Sequence, residues 1–379
     1  MLFRLILPLL FVCPMAICAT TQAFAKQTCT PAFPLRDRWQ GADAAYSIPL
    51  KDGRDIWIFG DTLIGDQRKV ENGTPRMVRN SIGVSTCSRE GKWNLSYQIR
   101  KGADGQPGDF FTAQHLNTWY WALDGFTAGN ELWVTLLCVR NIPKVTSQAF
   151  DFASCGSDLA RVTDLDKDPQ QWKVQYYPLV ADGVAAYPSA TAVVSDGFAN
   201  IFALYEAGTR PNLVARIPLA GLKDPQKHLQ YFSRQGVWRN GFDPKDAKPV
   251  IPSGNSELSV RYHPELKRWV AIMVDPTAFS NKVLMLEAAE LTGPWTAGKA
   301  IYRIPEMDPA QRGYDKDTFC YAAKEHPEFE AKGELLFTYV CNTASVPKLE
   351  LEKNIYFPQV VRMPMPRIED VSTTPTSAR

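Results

Sequence analysis

Short runs of alternating apolar and polar residues, each closed by a turn signal, recur along the whole chain. No long stretch carries an apolar period of 3.6 residues. The clearest run is GADAAYSIPLKDGRDIWIFGDT, residues 41–62. It predicts a strand over 44–50, a turn at Lys51-Asp52-Gly53-Arg54 and a second strand over 55–60. The Asp-Gly pair is a strong hairpin signal, because tight hairpin turns need residues that tolerate positive φ. Antiparallel strands run in opposite directions, so the start of the first lies beside the end of the second. Asp43 and Asp61 therefore fall at one end of a single hairpin.

Two more strands are predicted over 77–88 (MVRNSIGVSTCS) and 93–100, separated by Arg89-Glu90-Gly91-Lys92. The strand–turn–strand pattern then repeats over 119–138, 187–206, 256–275 and 318–341. Aligning one apolar residue early in each second strand gives Trp57, Trp133, Phe202, Trp269 and Leu336, at intervals of 76, 69, 67 and 67 residues. Additional strands are predicted over 212–218, 229–232, 282–288, 300–304 and 355–363. A four-stranded unit repeated at a near-constant period is the signature of a β-propeller. The expectation is an all-β chain forming a single five-bladed β-propeller over residues 26–363, followed by a polar tail at 364–379. A pair of β-sandwiches would leave the regular spacing unexplained.

Composition adds a compartment. The 379 residues are 45% hydrophobic and 22% charged with a formal charge of +2, as in a globular protein. No block of like charges occurs, so neither nucleic acid nor an anionic membrane is an expected partner. Residues 1–25 resemble an export signal: Arg4, an apolar run, then Ala23-Phe24-Ala25 as a cleavage site. An uncleaved anchor fits less well, because the run is short and contains Pro8 and Pro14. The mature chain then begins near Lys26, is periplasmic or extracellular, and is expected to be a monomer. Cys13 and Cys18 leave with the signal, and an even set of six cysteines remains, as exported disulfide-bonded proteins have. Cys320 and Cys341 flank one reversal and Cys138 and Cys155 another, which leaves Cys29 and Cys87 to pair by elimination.

The candidate chemistry lies where each repeat begins its first strand and ends its second. Those positions supply Asp43 and Asp61, Asn117 and Trp119, Tyr187 and Glu206, Asn255, Glu257 and Asp275, and Asp315, Asp317 and Asn342. In a propeller they share one face around the axis. Carboxylates crowded in a partly dry pocket cannot all ionise, so one becomes an acid while a neighbour stays charged. Two such groups flanking an acetal oxygen are the machinery of glycoside hydrolysis. Asp43, Asp61 and Glu257 are the candidate catalytic residues, with Asp43 as nucleophile or base, Asp61 as its partner and Glu257 as the competing acid. Arg79, Asn80, Trp119, Tyr187, Asn255 and Asp317 are candidate substrate-binding residues, and Trp121 and Tyr46 add aromatic faces for sugars.

Plainer roles compete with these. Asp61 fits a turn carboxylate, Asp43 a loop cap, Glu257 a partner for Arg261, and Asp275 and Asp317 turn residues. Trp57, Trp133 and Trp269 are expected to pack between sheets. The four histidines are scattered, and His263 and His326 both precede prolines, so no metal site is expected from them. No phosphate-binding loop, G-x-S-x-G, H-E-x-x-H or dinucleotide fingerprint is present. No cofactor is expected, although an oxygen-rich axial channel suits a structural Ca²⁺.

GADAAYSIPLKDGRDIWIFGDTLIG, MVRNSIGVS and SELSVRYHPELKRWVAIM together resemble an exported family of five-bladed propellers that includes endo-acting hydrolases of bacterial D-arabinan. The resemblance covers most of the mature chain and extends, more distantly, to arabinanases and fructan hydrolases. It implies a catalytic pair at Asp43 and Asp61; Glu257 matches the distant families by topology alone. The expected function is hydrolysis of a polysaccharide or oligosaccharide, arabinan or another furanoside among them. The alternative is a propeller that binds carbohydrate or protein without catalysis.

Overall fold

The computed structural model describes residues 29–366 apart from 67, 69, 72–73, 103–104, 144–150 and 278–279. Residues 1–25, where an export signal is expected, and most of the tail expected over 364–379 lie outside the described residues. The fold is all-β. Its five main sheets follow one another in chain order, and neighbouring strands are antiparallel; they are also consecutive in sequence in every sheet but the first, where small ribbons intervene between the second and third strands. Three small two- or three-stranded ribbons accompany them.

The first sheet contains Tyr46–Pro49, Arg54–Phe59, Ser81–Cys87 and Trp93–Gln98. The second contains Thr118–Ala128, Glu131–Asn141, Phe152–Thr163 and Lys173–Val180. The third runs from Ala186–Ser195 through Phe198–Tyr205, Asn212–Pro218 and Gln230–Phe232 to a fifth strand, Trp238–Asn240. Leu258–His263, Arg268–Val274, Lys282–Ala288 and Lys299–Arg303 form the fourth sheet. The last has three strands, Thr318–Glu325, Glu334–Thr343 and Pro358–Pro364. All five aligned apolar residues fall in second strands, and Trp57, Trp133 and Trp269 are buried in packing as expected.

Apolar faces pair each sheet with the next. Trp133 and Leu159 of the second sheet pack with Ile201 and Ala215 of the third. Phe202 and Val214 of the third share a core with Val260 and Ala271 of the fourth. Ile272 and Met285 of the fourth meet Leu335 and Phe337 of the fifth. Leu336 of the fifth then packs with Trp57, Phe59 and Leu95 of the first, and Ile48 and Ile58 of the first with Val134 and Leu136 of the second.

The single strand expected over 77–88 is instead broken. Met77–Val78 pairs with Thr62–Ile64 in a separate ribbon, and Ser81–Cys87 joins the first sheet. The break at Arg79 and Asn80 frees both side chains from strand alternation. The first strands of three sheets carry register slips, at Ala122/Asp124, Pro188/Thr191 and Tyr321/Lys324. A bulge of this kind re-aims side chains, and here it precedes the buried polar residues Asp124, Thr191 and Lys324, which meet one another.

All three expected disulfides form: Cys29–Cys87, Cys138–Cys155 and Cys320–Cys341. They fit an oxidising, exported environment. Among the described residues no helix is long and apolar enough to cross a membrane. Loop-closure entropy favours the crosslink spanning 58 residues over that spanning 17, by roughly 4 against roughly 3 kcal/mol. Urea unfolding is therefore expected to register a larger loss for Cys29→Ser/Cys87→Ser than for Cys138→Ser/Cys155→Ser. The reverse order would contradict the loop argument.

Candidate active site

The opening hairpin places its two aspartates side by side. Its strands pair with Tyr46 opposite Ile58 and Pro49 opposite Asp55, and Gly53 takes positive φ in the turn. Beyond the ladder the backbone stays paired: Asp43 N–H donates to the Asp61 carbonyl at 3.1 Å, and Gly60 N–H to the Asp43 carbonyl at 3.1 Å. A Cβ at position 60 would run into the Asp43 carboxylate, so only glycine lets that side chain lie against the strand end. Ala44 follows Asp43 at φ 57°, Ala322 follows Tyr321 at φ 56°, and Tyr356 itself sits at φ 58°. Left-handed backbone at a non-glycine residue is strained and collects at functional sites. Here it occurs at or beside three side chains that meet.

Asp43 Oδ2 accepts a hydrogen bond from the Tyr321 hydroxyl at 3.2 Å, and the Tyr356 hydroxyl also bonds the carboxylate. Asp61 Oδ2 accepts from Arg79 Nη1 at 3.0 Å and its Oδ1 from Trp121 Nε1 at 3.3 Å. Glu257 Oε1 accepts from the Tyr46 hydroxyl at 2.9 Å. Burial raises the Asp43 carboxyl well above the usual carboxylate range, and the nearby charges of Asp61 and Glu257 raise it further. Burial lifts Asp61 to about 6 against the opposing pull of Arg79. Glu257 is also raised by burial, while the Tyr46 hydroxyl and Lys324 work to lower it. The three carboxyls thus form one cluster in which full ionisation is unfavourable.

Several sequence-predicted contacts take other roles. Arg79 does reach the cluster, where it pairs with Asp61 and lies 4.5 Å over the Trp119 ring. Trp119 is buried beneath that guanidinium, and it is Trp121 that touches Asp61. Asn80 is fully buried; its amide donates to the carbonyls of Phe111 and Tyr120 and accepts from Phe111 N–H, which corrects its assignment to substrate. Tyr187 is buried and bonds Asp182 and Gly183 N–H, so its ring is not an open sugar platform. Asn255 holds the loop before the fourth sheet, accepting from Glu257 N–H and donating to the Val274 carbonyl. Asp317, with Asp315, is paired to Lys348. Tyr46 is buried and serves as a hydroxyl donor, not a stacking face. Asp275 caps its own turn through Thr277 N–H and the Ser280 hydroxyl.

Three contributors were missed. Tyr321 occupies the first strand of the fifth sheet as Tyr46 does in the first, so the repeat alignment carried the signal for it. Tyr356 lies in the irregular segment before the last strand and had no such signal. Lys324 is 1% exposed, donates to the carbonyls of Leu123 and Ala190 at 2.5 and 2.9 Å, and sits 3.8 Å over the Tyr46 ring. Burial pulls its ammonium down to about 8.

Arg261 does not pair with Glu257. It bonds Asp124, whose carboxylate also accepts from Thr191 Oγ1 at 2.5 Å and Ala192 N–H at 3.0 Å, with Lys324 3.9 Å away. That carboxylate is already neutralised by two cations, which disfavours Ca²⁺ beside it. Two other groups among the described residues have metal-like spacing. In Glu306, Cys320 and Cys341 the sulfurs are locked in a disulfide; the other group is His263, Glu325 and Glu330, at the opposite end of the sheets. A cavity of about 380 Å³ at that opposite end, lined by Leu50, Asp52, Thr127, Asn130 and Asp164, contains none of the three clustered carboxylates.

The family model described as "Domain of unknown function (DUF5005)" matches residues 32–361. No curated protein sequence matches the chain. Among solved structures, a candidate hydrolase from Bacteroides ovatus superposes with a TM-score of 0.64 at 20% identity, over 88% of this chain and 86% of that one. The GH43 protein BlXynB of Bacillus licheniformis gives 0.44 at 12% identity, over 89% of this chain and 54% of its own. An exo-β-1,3-galactanase of Phanerochaete chrysosporium gives 0.45 at 9%, over 86% and 60%. The chain spans little more than half the length of these last two.

Two outcomes follow from the site's geometry. Gly60→Ala forces the Asp43 carboxylate aside and is expected to lower the melting temperature by several degrees; an unchanged melting temperature would contradict the close approach. The second concerns pH. A carboxyl whose folded pKa is raised binds its proton more tightly when folded, so its stabilising share is complete below the unfolded value and is lost as pH rises through the folded one. For Asp61 the window runs from about 4 to about 6 and is worth on the order of 2–3 kcal/mol. Asp61→Asn should therefore lose less stability than wild type between pH 4 and pH 7 in urea titrations. Parallel profiles would contradict the raised carboxyl.

Proposed function

The chain belongs to the DUF5005 family, and on that premise we propose that it is an exported glycoside hydrolase whose active site is the Asp43, Asp61 and Glu257 cluster. The observation that carries this reading is three part-buried carboxyls raised by burial, in one cluster, each held by a hydroxyl, indole or guanidinium donor. The five sheets are read as blades of one propeller spanning residues 26–363, with the cluster at one end of its axis. The cycle of apolar packing that returns from the fifth sheet to the first supports five blades.

Hydrolysis of an acetal needs one carboxyl to protonate the departing oxygen and one carboxylate to act at the anomeric carbon, directly or through water. Asp43 is proposed for the second role, because two tyrosine hydroxyls donate to it and such donors stabilise an acceptor-only anion. Glu257 is proposed as the acid: the Tyr46 hydroxyl occupies Oε1, and the proton is assigned to Oε2. That proton passes to the leaving oxygen, while a water supplies hydroxide to the anomeric carbon and its remaining proton to the enzyme. Asp61, pinned by Arg79 and Trp121, stays charged and tunes Asp43. Once Glu257 holds the proton its repulsion on Asp43 is removed, and the Tyr321 and Tyr356 hydroxyls favour the ionised form against the larger effect of burial. The substrate is a polysaccharide or its oligosaccharides, with arabinans and other furanosides the first to test. The mature chain acts as a monomer outside the cytoplasm.

The test is reducing-sugar release from a polysaccharide panel. Wild type is expected to cleave one glycan class, and Asp43→Asn to cut the rate by roughly 10³-fold, within the usual span for a positioned acid or base. Glu257→Gln should lose comparably on the polymer but far less on an aryl glycoside, whose leaving group needs no proton. Asp43→Asn should be slow on both. Undiminished cleavage by Asp43→Asn would overturn the assignment of that residue, and an inert wild type across the panel would overturn the hydrolase reading.

A further inference from the structure

The far end of the fourth and fifth sheets gathers ionisable groups that the proposed chemistry does not use. Both turns there carry His-Pro-Glu: His263-Pro264-Glu265 after Leu258–His263, and His326-Pro327-Glu328 after Thr318–Glu325. The two histidines have different fates. His326 is fully buried between Ser47 Oγ at 2.6 Å and Thr338 Oγ1 at 2.9 Å, where its ring is an uncharged hydrogen-bonding bridge. His263 is buried among carboxylates: its Nε2 lies 2.6 Å from Glu325 Oε1 and its Nδ1 3.0 Å from Glu265 Oε1. Glu330 approaches from the turn that follows, with one oxygen accepting from Leu336 N–H at 2.9 Å.

One donor atom from each of His263, Glu325 and Glu330 lies within 4.8 Å of the other two. Independently of that spacing, Glu325 is 2% exposed and its Oε2 has no hydrogen-bond partner among the described residues. A buried carboxylate oxygen without a donor carries a desolvation penalty that a proton on His263 relieves only at the other oxygen. A cation among the three groups would relieve it.

We propose that His263, Glu325 and Glu330 bind a divalent transition-metal ion, with zinc the best match, that ties the fourth sheet to the fifth. An imidazole with two carboxylates is a mixed nitrogen and oxygen set suited to zinc, and three protein ligands leave a fourth position for water. The ion takes the place of the hydrogen bond between Nε2 and Glu325, and any proton on that nitrogen leaves to solvent. Glu265 accepts from Nδ1–H and so keeps Nε2 turned to the metal, an arrangement common around histidine ligands. The site is separate from the Asp43 cluster, and the inference does not rest on hydrolase activity.

The experiment is calorimetric titration of the chelator-treated wild-type protein with zinc chloride, with manganese and calcium chlorides in parallel, alongside thermal unfolding. The expected result is one equivalent of zinc bound, tighter than calcium, with a melting temperature that rises by several degrees and falls back with EDTA. Glu330→Gln retains an oxygen for Leu336 N–H and is expected to weaken zinc binding at least 10-fold, as is His263→Gln where it folds. Asp43→Asn should bind zinc as wild type does. A wild-type protein whose melting temperature and titration show no zinc binding would overturn the proposal. So would a Glu330→Gln variant that binds as tightly as wild type.

Discussion

One buried carboxylate holds the first strands of four sheets together. Asp124 of the second sheet accepts hydrogen bonds from Thr191 and Ala192 of the third and Arg261 of the fourth, with Lys324 of the fifth close by. Burial alone would raise this carboxyl, but Arg261, Lys324 and the hydrogen bonds more than offset it and hold it below the usual range. Removing one partner of such a buried set leaves the others uncompensated, which costs about 3–5 kcal/mol. The bulges at Asp124, Thr191 and Lys324 are what turn these side chains to a common point.

The candidate site is suspended from this centre. Lys324 lies over the Tyr46 ring, and the Tyr46 hydroxyl holds Glu257. Arg261 spends its charge on Asp124, so Glu257 is left without an arginine partner and keeps a raised pKa. On the other side, left-handed backbone at Ala44, Ala322 and Tyr356 surrounds Asp43. Strain and buried like charges are both unfavourable for folding, and their concentration around one carboxylate is the pattern expected where stability is exchanged for activity.

The repeat was legible because the period-2 alternation and the turn residues are local signals; the five second strands and the pairs Cys320–Cys341 and Cys138–Cys155, each flanking a reversal, followed from them, and Cys29–Cys87 followed by elimination. Asp43 and Asp61 were legible for the same reason, as neighbours across one hairpin. Asn80 was misread because the break at residues 79–80 interrupts strand alternation, sending one side chain to the site and the other to buried carbonyls. Lys324 and Asp124 were invisible because bulges shift alternation without any mark in composition. Tyr356 reaches Asp43 from a segment with no repeat counterpart, and only tertiary structure brings it there.

The central claim is that Asp43, Asp61 and Glu257 behave as one titrating unit. It is tested most directly by following the side-chain carboxyl carbons of ¹³C-labelled protein by NMR from pH 3 to pH 9, with Asp43→Asn, Asp61→Asn and Glu257→Gln to assign the signals. The account predicts that at least one of the three is still protonated at pH 6 and that removing any one lowers the midpoints of the others. Three independent titrations near pH 4, indifferent to these substitutions, would contradict it.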